Sequence, residues 1–196
     1  MAYRKAQLKT KEAPRGRSRA TGFVPPVTIS NRQLLLGGSD NNFRQVIYLF
    51  VKVLGRLMTC REAFGRRIDL TGSQFAVLMG VAYGQGTTGV TLKELSRQVH
   101  LASTHVTTEV GRLTTMGLLE KRSGQDDRRN VLVSLTADGV EMVKRVAPMV
   151  RRINDLLFSE ISASELLAAQ ATFSRISTNS EAALAEIKRF EQEGTF

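Results

Sequence analysis

Within residues 103–112 stand Ser103, Thr104, His105, Thr107, Thr108 and Arg112. Hydroxyl, imidazole and guanidinium groups bond to base edges and phosphate oxygens, and a threonine methyl can touch a thymine methyl. Thr104, Thr108 and Arg112 are spaced by four, so a helix puts them roughly on one face. The free N–H groups and positive dipole end at the start of such a helix suit a phosphate. A second cluster, Asp127, Arg128 and Arg129, lies in the polar stretch 123–129. Two arginines beside an acid are poorly placed for a core and well placed for an anion. The blander readings are a solvated helix face and a surface ion pair worth ~0–1 kcal/mol.

Other chemistries are not written in the chain. There is no P-loop, nucleophile elbow or metal motif, and Gly84-Gln85-Gly86 reads as a loop, not a dinucleotide fingerprint. His100 and His105 have no acidic or cysteine partner at ligand spacing, which is poor ground for a metal site. The single Cys60 excludes an intramolecular disulfide and fits a reducing cytosol. The expectation is a protein that is not an enzyme, with no cofactor and no metal.

The elements that must position the two clusters follow from periodicity. Apolar residues Phe43, Val46, Ile47, Phe50, Leu54, Leu57 and Met58 recur at threes and fours, which predicts a long amphipathic helix from about Ser39 to Arg67. Thr71-Gly72-Ser73-Gln74 is a capping box opening a short helix, and Thr91-Leu92-Lys93-Glu94 is another, opening a helix over Leu92–Val99. The next helix runs from about Ser103 to Met116 and ends at Gly117, a good left-handed residue. Only His100-Leu101-Ala102 separates it from the one before, which makes a helix-turn-helix. The period then changes to two, predicting strands at Leu118–Arg122 and Asn130–Leu135 with the second cluster on their connection: a wing. Thr136 can cap a helix over Ala137–Phe158, with Pro148 set to kink it. Ser162-Ala163-Ser164-Glu165 is a third capping box before a last helix carrying Leu166, Phe173, Ile176, Leu184 and Ile187.

The fold class expected is mainly α with a small β-hairpin wing. It divides into an N-terminal arm at 1–38, a winged helix-turn-helix at 73–136, and helical regions at 39–72 and 137–196. With 42% hydrophobic and only 6% aromatic residues and no tryptophan, the core must be aliphatic. The net charge of +10 is uneven: residues 1–38 carry +7 of it, and their prolines and glycines predict no stable helix before about Ser39. A basic arm on a nearly balanced body suggests an anionic polymer as partner. The arm can be disordered, strap across a dimer, or track phosphates. No apolar run is long enough for a membrane span or follows the basic N-terminus as a secretory signal would, so no membrane partner is expected.

Four stretches together resemble the MarR (multiple antibiotic resistance regulator) family: Leu70–Leu78, Thr91–Ser96, Arg112–Arg122, and Asp127-Arg128-Arg129 followed by Val131–Gly139. The resemblance covers about 42–190 and leaves out the arm. It implies a homodimer in which the first and last two helices pack across a two-fold axis. The winged lobes then face successive major grooves of an inverted-repeat operator in double-stranded DNA. It implies further that Asp127 orients Arg129 for the minor groove, where narrow A·T-rich DNA concentrates negative potential, with Arg128 at or near phosphate. The chain departs from the pattern at Thr108, where a basic residue is frequent, and at Gln125, where proline usually precedes the acidic pair.

Regulators of this kind often release DNA when a small aromatic or phenolic acid binds. The expectation is therefore a cytoplasmic, nucleoid-associated bacterial repressor. For such an anion a pocket needs a cation and a flat apolar wall, which Arg44 and Tyr48 could supply from one turn of the first helix. The alternative is that Arg44 is solvated and Tyr48 lies in a dimer interface. Cys60 lies late in that helix, away from the start where the thiol-sensing branch carries its cysteine, and reads as a packing residue. Two other classes stay open: a weakly specific architectural DNA binder dominated by the arm, and a winged-helix module that binds protein.

Overall fold

The computed structural model describes residues 23–123 and 131–194. Among the described residues, six α-helices and three short strands appear in the order α1 (Asn41–Arg66), α2 (Gly72–Gly84), β1 (Val90–Thr91), α3 (Leu92–Val99), α4 (Ser103–Thr115), β2 (Leu119–Ser123), β3 (Val131–Leu135), α5 (Ala137–Leu157) and α6 (Ala163–Glu193). The mainly helical class with a small sheet is as the sequence predicts. The chain divides within α1, after Leu54, into two compact units.

In the first unit, the segment before α1 contains one turn of 3-10 helix, Arg32–Leu34, where no helix was expected. Asn31 makes it possible: its Oδ1 accepts the Gln33 N–H at 3.0 Å. Gly37 and Gly38, both at positive φ, then reverse the chain. Asp40 is buried at the start of α1. One of its oxygens accepts both the backbone N–H and the hydroxyl of Thr28 at 2.7 Å, and the other pairs with Arg44 at 3.0 Å. The two Thr28 bonds, with help from Arg44, hold the Asp40 carboxyl below the usual aspartate range.

The second unit holds the core. Phe64, Ile68 and Leu70 at the α1–α2 corner join Phe75, Val77, Leu78 and Val81 of α2. Val90 of β1, Leu95 of α3, Val106, Val110 and Leu113 of α4, Leu118 and Leu119 at the start of β2, Val133 of β3 and Val146 of α5 complete it, with Cys60 packed against its edge as expected. The Phe64 and Phe75 rings meet in a tilted pair 5.5 Å apart. Each such side chain, fully buried, contributes ~1.5–3 kcal/mol.

Side chains set most of the element boundaries. Thr71, Thr91 and Ser162 each form a complete capping box, with Gln74, Glu94 and Glu165. The start of α2 has a further cap, since Glu62 of α1 accepts the Gly72 N–H at 2.9 Å. Thr136 accepts the Gly139 N–H at 3.0 Å and donates to the Gly117 carbonyl at 2.6 Å, tying the start of α5 to the end of α4. Gly139 lies so close to this turn that a Cβ would sit 2.1 Å from the Leu118 carbonyl oxygen. The helix α5 runs through Pro148.

The sheet has the order β1-β3-β2, all antiparallel. The expected pair of strands is present as β2 and β3, with Leu119 opposite Leu135 and Ser123 opposite Val131. The strand β1 is an addition: Val90 and Thr91 pair with Val133 and Leu132. At the end of β3, Gln85 Oε1 accepts the Leu135 N–H at 2.8 Å, so a side chain stands in for a missing strand. No helix among the described residues is long and apolar enough to cross a membrane.

Candidate nucleic-acid interface

The helix-turn-helix is α3, the turn His100-Leu101-Ala102, and α4. His100 takes a left-handed conformation (φ 52°), which reverses the chain in so few residues. Ser96 clamps the turn by donating to the Leu101 carbonyl at 2.6 Å, and its oxygen lies 3.2 Å from that of Ser103. Ala102 is the N-cap of α4 and makes no side-chain cap. The first turn of α4 thus keeps its backbone donors, and Ser103, Thr104 and His105 there are exposed.

Along α4, Val106, Val110 and Leu113 are buried, which turns the opposite face to solvent. Thr107 and Thr108 are exposed, and their hydroxyls donate to the carbonyls of Ser103 and Thr104 at 2.8 and 3.0 Å. Thr114 and Thr115 bond back in the same way to Val110 and Gly111. Thr108 and Arg112 line one shallow groove with Gly111, Thr115 and Met116, closed on the other side by Gln74 of α2. The expected shared face of Thr108 and Arg112 is therefore present, and Gln74 joins it from a neighbouring helix. The Arg112 side chain is 60% exposed, and its Nη1 donates to Glu109 Oε1 at 2.8 Å.

Glu109 is the residue that the sequence reading passed over. Its position, three after Val106 and four before Leu113, is on the core stripe. Its side chain is only 3% exposed. An acid on an apolar stripe beside a histidine four residues earlier and an arginine three later was the available signal.

Asp127, Arg128 and Arg129 lie outside the described residues. In sequence they fall between β2 and β3, and Lys121 and Arg122 are exposed on β2. Arg122 pairs with Glu120 at 3.1 Å and reaches the Ser134 hydroxyl at 3.3 Å. In the other unit, Tyr48 is 70% exposed, while Arg44 is held by both Asp40 and Asn41. No group of three or more potential metal ligands occurs among the described residues.

Comparison with known proteins agrees with this geometry. The winged helix DNA-binding domain family matches residues 70–139. The HTH-type transcriptional regulator YdcH of Bacillus subtilis is 34% identical over 93 residues, 46% of this chain and 63% of that protein. SarZ, an HTH-type transcriptional regulator of Staphylococcus haemolyticus, is 26% identical over 100 residues, 51% of this chain and 63% of that protein. The chain thus spans somewhat under two thirds of the length of these relatives. Among solved structures, NMB1585, a MarR family regulator from Neisseria meningitidis, is similar with a TM-score of 0.59 at 22% identity, over 72% of this chain and 97% of that one. The S. aureus MepR–DNA complex gives 0.58 at 17%, over 67% and 94%. BpsR of Bordetella bronchiseptica, described in connection with regulation of its DNA binding by 6-hydroxynicotinic acid, gives 0.55 at 26%, over 67% and 92%. Residues 70–139 match the winged helix DNA-binding domain family, and the fold is that of solved MarR-family regulators.

Proposed function

We propose that this protein is a sequence-specific DNA-binding transcriptional regulator, a repressor that binds an inverted-repeat operator as a homodimer. The observation that carries the reading is the outer face of α4: exposed, hydroxylic and basic, at a helix start whose backbone donors no side chain caps. A module that binds protein would present an apolar patch there. The proposed DNA contacts include Asp127, Arg128 and Arg129, with Arg129 in the minor groove and Arg128 at phosphate. That MepR was solved on DNA with the same fold supports the geometry.

Homodimerisation is supported by α6, which buries none of its 31 residues although it carries Leu166, Leu167, Ile176, Leu184 and Ile187. An effector of small aromatic acid type is supported by BpsR, whose DNA binding is regulated by 6-hydroxynicotinic acid. In this chain Arg44 and Tyr48 are the proposed contacts. A carboxylate ligand there has to compete with Asp40 for the guanidinium.

The test is binding of the purified protein to its own upstream promoter DNA and to scrambled DNA across a salt series, with Arg129→Ala alongside. A strong preference for the promoter, reduced in the variant, is the expected result. Weak binding without preference and with a steep salt slope, about 0.9 per neutralised phosphate, overturns the regulator reading in favour of an architectural binder led by the basic arm.

A further inference from the structure

The recognition helix contains a buried acid where its packing calls for an apolar residue. Glu109 Oε1 accepts from Arg112 Nη1 at 2.8 Å and lies 3.9 Å from His105 Nε2. Its Oε2 is buried and has no hydrogen-bond partner among the described residues. A half-satisfied buried carboxylate is costly, and a leucine of similar size in its place is often neutral or stabilising. The position therefore does not serve stability. Val106, Val110 and Leu113 beside it on α4 are apolar and buried; α2, packed against α4, contains no charged residue, and the ion pairs of this carboxylate among the described residues are those with His105 and Arg112.

The acid does fix an arginine. An exposed Arg–Glu pair is ordinarily weak because both side chains must be ordered at once. Here one end is buried, and the guanidinium bonded to it lies beside Thr108 in the groove shared with Gln74. We propose that Glu109 is a positioning residue for DNA recognition: it holds Arg112 in one orientation on the recognition face, trading phosphate attraction for discrimination between sequences. The inference rests on the DNA-binding reading above. Its physical basis is preorganisation: an arginine already oriented loses less freedom when it meets one base edge, while the acid beneath it weakens attraction to any phosphate.

The experiment compares wild type, Glu109→Leu, Glu109→Gln, Arg112→Ala and the Glu109→Leu/Arg112→Ala double variant on promoter and scrambled DNA, with thermal unfolding of each. Glu109→Leu is expected to lower the promoter-to-scrambled preference roughly tenfold, with affinity for scrambled DNA equal to or above wild type and a melting temperature no lower. Glu109→Gln, which retains an acceptor, keeps more of the preference than leucine does. In the Arg112→Ala background the leucine substitution changes nothing further. Glu109→Leu with wild-type preference, or an equal loss with and without Arg112, overturns the inference; should the leucine variant not fold, Glu109→Gln in the two backgrounds decides in the same way. A wild type with no preference for the promoter instead overturns the function reading on which the inference depends.

Discussion

At the scale of the residue, the tightest constraint is Gly139. It sits at the point where α5 leaves the wing, and its missing side chain lets the helix approach the carbonyl of Leu118. A Cβ at 2.1 Å from backbone oxygen cannot be relieved by rotating a side chain. The helix or the α4–β2 turn must move, and with it the Thr136 bonds to Gly117 and Gly139. Gly139→Ala should destabilise the protein by about 2 kcal/mol or more, a magnitude typical of forced overpacking. Chemical denaturation measures it, and an unchanged midpoint would show that the turn yields easily. Gly72 is constrained differently, since the atoms a Cβ would meet belong to the Glu62 carboxylate, which also caps α2.

At the scale of the element, three starts depend on titrating acids. Hydrogen bonds from Thr91, its hydroxyl first and then its N–H, hold Glu94 below the usual glutamate range, and Ser162 does the same to Glu165. Thr28 and Arg44 act likewise on Asp40. A carboxyl lowered in the folded state gives stability that is present above its unfolded value and lost as pH falls through the folded one. The melting temperature should therefore hold near neutrality and decline below about pH 4.5. Glu94→Gln keeps the cap but not the titration, so its decline should be shallower. Identical acid limbs in variant and wild type would remove Glu94 from the account.

These boxes were legible because a cap is local: donor and acceptor lie three residues apart in the chain. The wing strands were legible from their alternation. The strand β1 was not, because Val90 and Thr91 are too few to show a period and exist as a strand only by pairing with β3. Gln85 and Glu109 were missed for a related reason. Gln85 acts on Leu135, fifty residues away, and a polar residue on a helix reads as exposed until packing shows otherwise. The shared side of Thr108 and Arg112 was legible, since it follows from helical spacing alone.

At the scale of the whole molecule, the distribution of apolar surface matters most. The winged helix buries a continuous aliphatic core, whereas α6 leaves Leu166, Ile176, Leu184 and Ile187 open to solvent. An isolated helix with such a stripe gains little from propensity alone and needs a packing partner. If a second copy supplies it, Leu184→Glu should shift the sedimenting species toward half the mass and lower the melting temperature in a concentration-dependent way. A variant with unchanged mass would place the contact elsewhere.

On the proposed function, the back-bonded threonines of α4 have a consequence for which bases can be read. A carbonyl oxygen has no proton, so Thr107 and Thr108 must each direct their only hydroxyl proton inward, to Ser103 and Thr104. What remains outward is lone pairs. In that rotamer both residues match the exocyclic amines of adenine and cytosine and mismatch guanine O6, thymine O4 and phosphate. Arg112 is the reverse, a donor with nothing to accept. The helix thus carries a stencil of opposite hydrogen-bonding polarity along one face, and a base that needs a donor from threonine must first break the helix's own bond.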